Sequence, residues 1–244
     1  MLSQHAQRAH PSLEVRLARG SSSPTYSALK LLIVLSLFLC WCKQVEALPG
    51  TTVGVKVNEG VVLAAEKRVA YGYYLMSKSG KKVYRVLDRI GIASAGLIAD
   101  MQTLARILEA EMRLYELDAE HTPSVWTAAK VLSYILYERR LFPYYAEVLV
   151  GGVDETGPHL YSLDPIGAVL EENYIAAGTG AQLAISMLES GYRSDLSIDE
   201  AEKLALKSLE AAMKRDAVSG DGIDMVVITR SGSLEKSFTW PLQL

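Results

Sequence analysis

The chain has few of the residues on which most hydrolytic and metal-dependent sites are built. Its 244 residues include only two cysteines and four histidines. Cys40 and Cys42 lie together near the N-terminus, so the part from residue 51 onward has no thiol and no disulfide. His121 and His159 are the histidines of that part, and neither has a second ligand at metal-binding spacing. The sequence therefore predicts no metal and no cofactor, and it disfavours a Ser-His-Asp site.

An excess of positive charge is also missing. The formal net charge is −3, and from residue 51 onward there are 20 basic against 26 acidic residues. A protein that binds nucleic acid usually carries a basic face, so we expect no nucleic-acid partner. Half of the residues are hydrophobic, which is ordinary for a globular chain of this length, and one domain is the default.

The first 50 residues are unlike the rest. Residues 31–42 form an apolar run behind Lys30, which is short for crossing a bilayer, and we expect no membrane partner. Three interpretations stay open: an over-extended start with translation from Val45, a propeptide, or a signal or anchor with small residues at 45–47. In each case the mature folded domain is expected to comprise residues 51–244.

The junction between Gly50 and Thr51 predicts a chemistry that needs no histidine. A threonine at a new N-terminus carries its own base: the hydroxyl is the nucleophile, and the α-amine, with a pKa of about 7.7 to 8.0, can accept the hydroxyl proton through a water. If the chain is cut after Gly50, Thr51 becomes such a residue.

Hydrophobic periodicity gives the order of elements. Two buried strands flank the turn Asn58-Glu59-Gly60, helices follow, and strands and helices then alternate in the same way again. This order predicts an α+β fold, with two packed antiparallel sheets flanked by helix pairs. The expected strands are 52–58, 61–66, 70–75, 90–95, 145–153, 159–163, 168–176 and 223–229. The expected helices cover 101–115, a segment opened by Thr122-Pro123, 180–190, and 198–215 with a Ser197/Glu200 capping box.

Several sequence blocks carry a resemblance over nearly the whole domain. They are Gly50-Thr51-Thr52-Val53-Gly54, Ala65-Glu66-Lys67-Arg68, Ser79-Gly80-Lys81-Lys82-Val83, Ala95-Gly96-Leu97-Ile98-Ala99-Asp100, Leu149-Val150-Gly151-Gly152-Val153-Asp154, and the run from Lys214 through Asp216, Ser219 and Gly222 to Asp224. With these blocks, residues 51 to about 230 resemble a β subunit of the archaeal 20S proteasome, an N-terminal nucleophile hydrolase. The resemblance implies a four-layer αββα sandwich.

The same resemblance implies roles for individual residues. Thr51 would be the nucleophile, Lys82 would favour its alkoxide-like state, and Glu66 would orient and pair with that lysine. Gly96 would supply the backbone N–H of the oxyanion hole. Asp216 and Ser219 would position the free amine, and Thr179 would keep a hydroxyl near it in place of the family's usual serine. The pocket for the residue before the cut bond would be lined by Val69, Gly80, Ser94 and Ile98.

The implied activity is that of a threonine-type endopeptidase which activates itself by cleavage after Gly50 and degrades unfolded polypeptides in the cytoplasm. The implied partners are other β subunits in seven-membered rings, proteasome α rings, and an ATP-dependent unfoldase that feeds the chamber.

The spacing departs from that of catalytic members of the family. They place sixteen steps between nucleophile and acidic residue, whereas Thr51 to Glu66 is fifteen, so Gly50 falls on the nucleophile's position. A shift of one residue turns a strand's side chains to the other face. The chain thus also resembles a second archaeal β type of weak or absent activity, and an inert structural ring subunit is the alternative function. A secreted hydrolase of small amides is a third interpretation.

Overall fold

The computed structural model describes residues 28, 30–32, 48–72 and 74–240. The chain divides into two compact units, residues 1–46 and 47–244. In the first unit, residues 28 and 30–32 are helical, and most of the apolar run at 31–42 lies outside the described residues. Among the described helices, none combines the length and the apolar character that crossing a bilayer requires.

The second unit is built on two five-stranded antiparallel sheets. The first sheet has the order β10-β1-β2-β11-β12, and the second has the order β5-β6-β7-β8-β9. A two-stranded sheet, β3-β4, stands beside them. The strands are β1 Thr51–Val57, β2 Gly60–Glu66, β3 Val69–Tyr71, β4 Tyr74–Ser77, β5 Val83–Leu87, β6 Ile90–Gly96, β7 Ala146–Asp154, β8 Gly157–Leu163, β9 Val169–Glu171, β10 Tyr174–Gly178, β11 Gly222–Thr229 and β12 Gly232–Thr239.

Two pairs of helices cover the outer faces. They are α1 Ile98–Ala119, α2 Val125–Glu138, α3 Ala181–Gly191 and α4 Ile198–Met213. One apolar cluster joins α1 and α2 to the second sheet, another joins α3 and α4 to the first sheet, and a third fills the space between the sheets. The layers are therefore helix, sheet, sheet, helix, and the predicted αββα sandwich is confirmed.

The predicted elements omit two strands, β5 and β12, and misplace several turns. The single strand expected at 70–75 is wrong, because the chain reverses at Gly72 (φ +57°) between β3 and β4. The strand expected at 168–176 is likewise two short strands, β9 and β10, which belong to different sheets. Helix α2 begins at Val125 with Ser124 as its cap, and not at Thr122-Pro123. The capping box at Ser197 and Glu200 is confirmed.

Candidate functional site

The predicted site residues come from the ends of several strands, which lie together at one end of the two sheets. β1 begins at Thr51, β2 ends at Glu66, β6 ends at Gly96, and β10 ends at Gly178. The loop after α4 brings Asp216 and Ser219 to the same end, where Ser219 lies 2.7 Å from Thr51, measured between hydroxyl oxygens.

Glu66 and Lys82 form a buried ion pair with almost no solvent exposure. Lys82 Nζ donates to Glu66 Oε1 and also to the carbonyl of Arg68, at 2.6 Å. Glu66 Oε2 accepts from the backbone N–H groups of Arg68 (2.7 Å) and Gly220 (2.9 Å). Burial raises the pKa of the Glu66 carboxyl, while Lys82 and the two amides oppose the rise. The pair therefore ties β2 to the segment before β5 and to the 214–221 loop.

Gly50 is the residue that faces this ion pair. A Cβ at Gly50 would lie 2.7 Å from Lys82 Nζ and 2.8 Å from Glu66 Oε1. Its φ of +97° is one that glycine adopts without strain. The position beside the lysine thus holds a residue with no side chain.

Thr51 turns its hydroxyl to the other face of β1. Thr51 Oγ1 lies 2.7 Å from Ser219 Oγ, and a Cβ at Gly180, the residue before α3, would collide with it. The Thr51 amide, in contrast, donates to Glu66 Oε1 at 3.2 Å. This split follows from strand geometry, because successive side chains of a strand point to opposite faces.

Two hydroxyl groups bind Asp216 directly, and a third is linked to it through Ser219. Ser219 Oγ and Thr179 Oγ1 each donate to Asp216 Oδ2 at 2.6 Å, and Thr51 Oγ1 is bound to Ser219. Each hydroxyl has one proton to donate, so the short bonds to the carboxylate engage both Ser219 and Thr179. The predicted trio of Thr179, Asp216 and Ser219 is brought together, and Ser219 connects it to the Thr51 hydroxyl.

The residues just before Thr51 are bound to the backbone of two predicted site residues. We call residues 48–50 the leader segment. The Gly96 N–H, predicted to be the oxyanion donor, donates to the carbonyl of Pro49 at 2.9 Å, and the Thr179 N–H donates to the carbonyl of Leu48 at 2.9 Å. Leu48 is buried, with 4% exposure. The peptide bond held at the Gly96 donor is thus the one between Pro49 and Gly50.

Three of the four predicted pocket residues lie together. A Cβ at Gly80 would collide with Val69 and would lie 3.5 Å from Ile98 Cδ1, so these three residues adjoin. Ser94 is buried on β6. Its amide donates to the carbonyl of Lys82 at 2.9 Å, and its hydroxyl makes no hydrogen bond within the described structure.

Arg68 and Asp221 were missed by the sequence reasoning. Arg68 Nε donates to Asp221 Oδ2 at 2.7 Å, and its Nη1 donates to the carbonyl of Ala217 at 2.8 Å. Both residues lie in blocks that carried the resemblance, which was the available signal. Their pairing fixes the loop that carries Asp216 and Ser219.

A second polar cluster surrounds His159 on β8. Its ring nitrogens lie 3.0 Å from Glu171 Oε1 and 2.8 Å from Thr156 Oγ1. The Thr156 hydroxyl donates to Asp154 Oδ1 at 2.6 Å, so its proton is held by a carboxylate. Glu171 also pairs with Lys56 of β1, at 3.3 Å, which links the two sheets.

This cluster predicts a loss of stability in acid. The hydrogen bond with His159 lowers the pKa of Glu171 below its ordinary value of 4.5, with Lys56 adding to the effect and burial opposing it. A carboxyl with a lowered pKa in the folded state stabilises the fold above its unfolded pKa, and that stability is lost as the pH falls through the folded value. Between about pH 5 and pH 3, the melting temperature of Glu171→Gln should therefore fall less than that of the wild type.

The control for that measurement is Glu189→Gln, a change at an exposed carboxylate of α3. Its melting temperature should fall with pH as that of the wild type does. If the melting temperatures of Glu171→Gln and the wild type fell equally, the pair with His159 would contribute nothing to stability in solution.

Comparison with known proteins agrees with this architecture. The family model described as Proteasome subunit matches residues 47–228. "Proteasome subunit beta 2" of Thermofilum pendens is 73% identical over 197 residues, which cover 81% of this chain and 96% of that protein. The proteins of the same name from Pyrobaculum calidifontis and Caldivirga maquilingensis are 55% and 50% identical, over 76% and 80% of this chain and 92% and 97% of their own lengths. The chain therefore belongs to the proteasome subunit family, as a β subunit of the archaeal 20S type.

Proposed function

We propose that this chain is a structural β-ring subunit that does not itself cleave peptide bonds. The observation that carries the proposal is the direction of two neighbouring side chains. Gly50 faces Lys82 and Glu66, and Thr51 directs its hydroxyl to Ser219 on the opposite face of β1. A nucleophile must lie within reach of the groups that activate it, and here the residue beside the lysine has no side chain to act.

The leader segment supports the same proposal. Its Pro49 carbonyl accepts from the Gly96 N–H, so a substrate carbonyl has no access to that donor while the segment stays in place. In this role the chain contributes to a seven-membered β ring that stacks against an α ring in a cytoplasmic particle. An ATP-dependent unfoldase supplies unfolded polypeptides, and other β subunits cut them.

A threonine-type endopeptidase activated by cleavage after Gly50 is the second candidate. Two observations favour it: the Thr51 amide nitrogen lies 3.2 Å from Glu66, and the Thr51 hydroxyl is linked through Ser219 to Asp216. A new α-amine would therefore be close to a carboxylate. For proteolysis, the first residues of β1 would also have to shift by one position so that the hydroxyl reaches Lys82.

Replacing Thr51 separates the two candidates. We expect Thr51→Ala to leave peptide hydrolysis per assembled particle within about twofold of the wild type, since no reacting group is removed. The change deletes one hydrogen bond, worth about 0.5 to 1.5 kcal/mol, so activity should be measured per assembled particle and not per total protein.

The matched variant is Thr51→Ser, which keeps a hydroxyl. A particle in which Thr51→Ala loses a peptidase activity that Thr51→Ser retains would establish Thr51 as a nucleophile and would reject the structural role.

A further inference from the structure

Glu147 makes a hydrogen bond between the two sheets, beside the candidate site. It lies on β7, paired with Ala95, and the adjacent pair in the same register is Gly96 with Ala146. Its Oε2 accepts a hydrogen bond from the N–H of Gly178, the last residue of β10, at 3.0 Å. Since β7 belongs to the second sheet and β10 to the first, one carboxylate connects the strand beside Gly96 to the strand that leads into Thr179.

Both ends of this connection hold the leader segment. On one side, the Gly96 N–H donates to Pro49; on the other, the Thr179 N–H donates to Leu48. Gly178 (φ +94°) lies against the carbonyl of Gly50, and there is no room for a Cβ at this position. The two donors can hold one short peptide only while the distance between the two sheet edges stays fixed.

We propose that Glu147 is a positioning residue that keeps the leader segment docked, by fixing β10 against the end of β6 and β7. β10 is an edge strand, so the Gly178 N–H has no further strand beyond it to bind. A carboxylate is the strongest acceptor a side chain can offer to a backbone N–H, and a bond to a charged group exceeds one between neutral groups. Loss of this acceptor should release β10, and with it the Thr179 donor, from the register that Leu48 and Pro49 require.

The test is amide hydrogen exchange in the full chain. In Glu147→Ala, exchange of the Gly96 and Thr179 amides should speed up by about tenfold or more, the change expected on loss of a charge-assisted bond. Glu147→Gln keeps a side-chain carbonyl in the same place and should restore slow exchange at both amides. Intact mass of each sample shows that the leader segment is still attached, so loss of docking is not confused with its removal.

Glu171→Ala is the matched control, because Glu171 also joins the two sheets, through Lys56. It should leave the Gly96 and Thr179 amides protected. If Glu147→Ala does not fold, Glu147→Asp replaces it, since a side chain one methylene shorter withdraws the acceptor while keeping the charge. Unchanged exchange at Gly96 and Thr179 in Glu147→Ala, or in Glu147→Asp where that variant replaces it, would overturn the proposal. So would faster exchange that is equal at these two amides and at the buried Val226 amide of β11, because it would indicate general loosening.

Discussion

Threonine in place of Gly50, in a chain that starts at residue 50, is expected to create a reactive nucleophile. A Cβ at this position would lie 2.7 Å from Lys82 Nζ, so the end of that flexible side chain must move slightly to make room for it. Removing residues 1–49 frees the Gly96 N–H. An N-terminal residue has no φ, so the +97° that glycine tolerates in the uncut chain imposes no strain on the new threonine. Its own α-amine supplies the base.

The measurement is the mass of this subunit after treatment of assembled particles with a threonine-directed β-lactone. We expect labelling of nearly every Gly50→Thr chain at residue 50. In particles whose other β subunits have been inactivated at their nucleophiles, we also expect a gain in peptide hydrolysis on the order of 10³-fold or more over the same chain beginning with Gly50. Removal of a nucleophile costs up to about 10⁶-fold in other hydrolases, which leaves room for a gain of that size.

Two control variants accompany this prediction. The chain that begins with Gly50 should take no label, and Gly50→Thr combined with Lys82→Ala should take little, because the cation beside the hydroxyl is lost. An assembled Gly50→Thr particle with the correct N-terminus and no label would contradict the prediction. It would show that Lys82 and Gly96 do not form a hydrolytic site that lacks only the nucleophile's hydroxyl.

Lys82→Ala should be the most destabilising single change at the candidate site, by about 3–5 kcal/mol in the free energy of unfolding. The change leaves the Glu66 carboxylate buried without its cation, in a place with no solvent exposure. Without Lys82 to oppose it, burial would raise the pKa of Glu66 further. The loss of unfolding free energy should therefore be greatest at neutral pH and should shrink as the pH falls and the carboxyl takes up a proton. Denaturant unfolding at two pH values measures both effects.

The neighbouring Lys81 provides the matched control. It pairs with Glu235 at 3.0 Å, and both side chains are 49% exposed, so Lys81→Ala should cost no more than about 1 kcal/mol. A joint replacement, Lys82→Met with Glu66→Gln, should recover much of the stability lost in Lys82→Ala. No buried charge then remains, and the side-chain carbonyl still accepts from the backbone N–H groups of Arg68 and Gly220. Equal losses for Lys81→Ala and Lys82→Ala would contradict the description of the Glu66 pair as buried.

The register of β1 could be read from the sequence, whereas the contacts of the leader segment could not. The fifteen steps from Thr51 to Glu66, set against the sixteen that the resemblance to catalytic family members implies, put Gly50 on the nucleophile's position. Because successive side chains of a strand point to opposite faces, this one-residue difference also predicts that Thr51 faces away from Lys82. The donors that hold Leu48 and Pro49 come from Thr179 and Gly96, and local periodicity carries no information about such distant partners. The same holds for Arg68 and Asp221, which are 153 residues apart.

Errors in the elements have similar causes. β12 was not predicted because it is only half-buried along its length, so it lacks the apolar run that marked β11. The helix start at Val125 was misplaced because Thr122 and Ser124 are both suitable caps, and tertiary packing decides between them. Asp154 accepts from the Val125 N–H at 3.0 Å, which favours the later start.

The intact mass of this subunit, taken from particles purified from its native host, decides between the structural and the proteolytic role. We expect Gly50 to be still joined to Thr51 in the assembled particle, so that no α-amine is present at Thr51 to act as a base. A subunit whose mass corresponds to a chain starting at Thr51, and which gains the mass of a threonine-directed inhibitor, would contradict this expectation and would establish Thr51 as a working nucleophile.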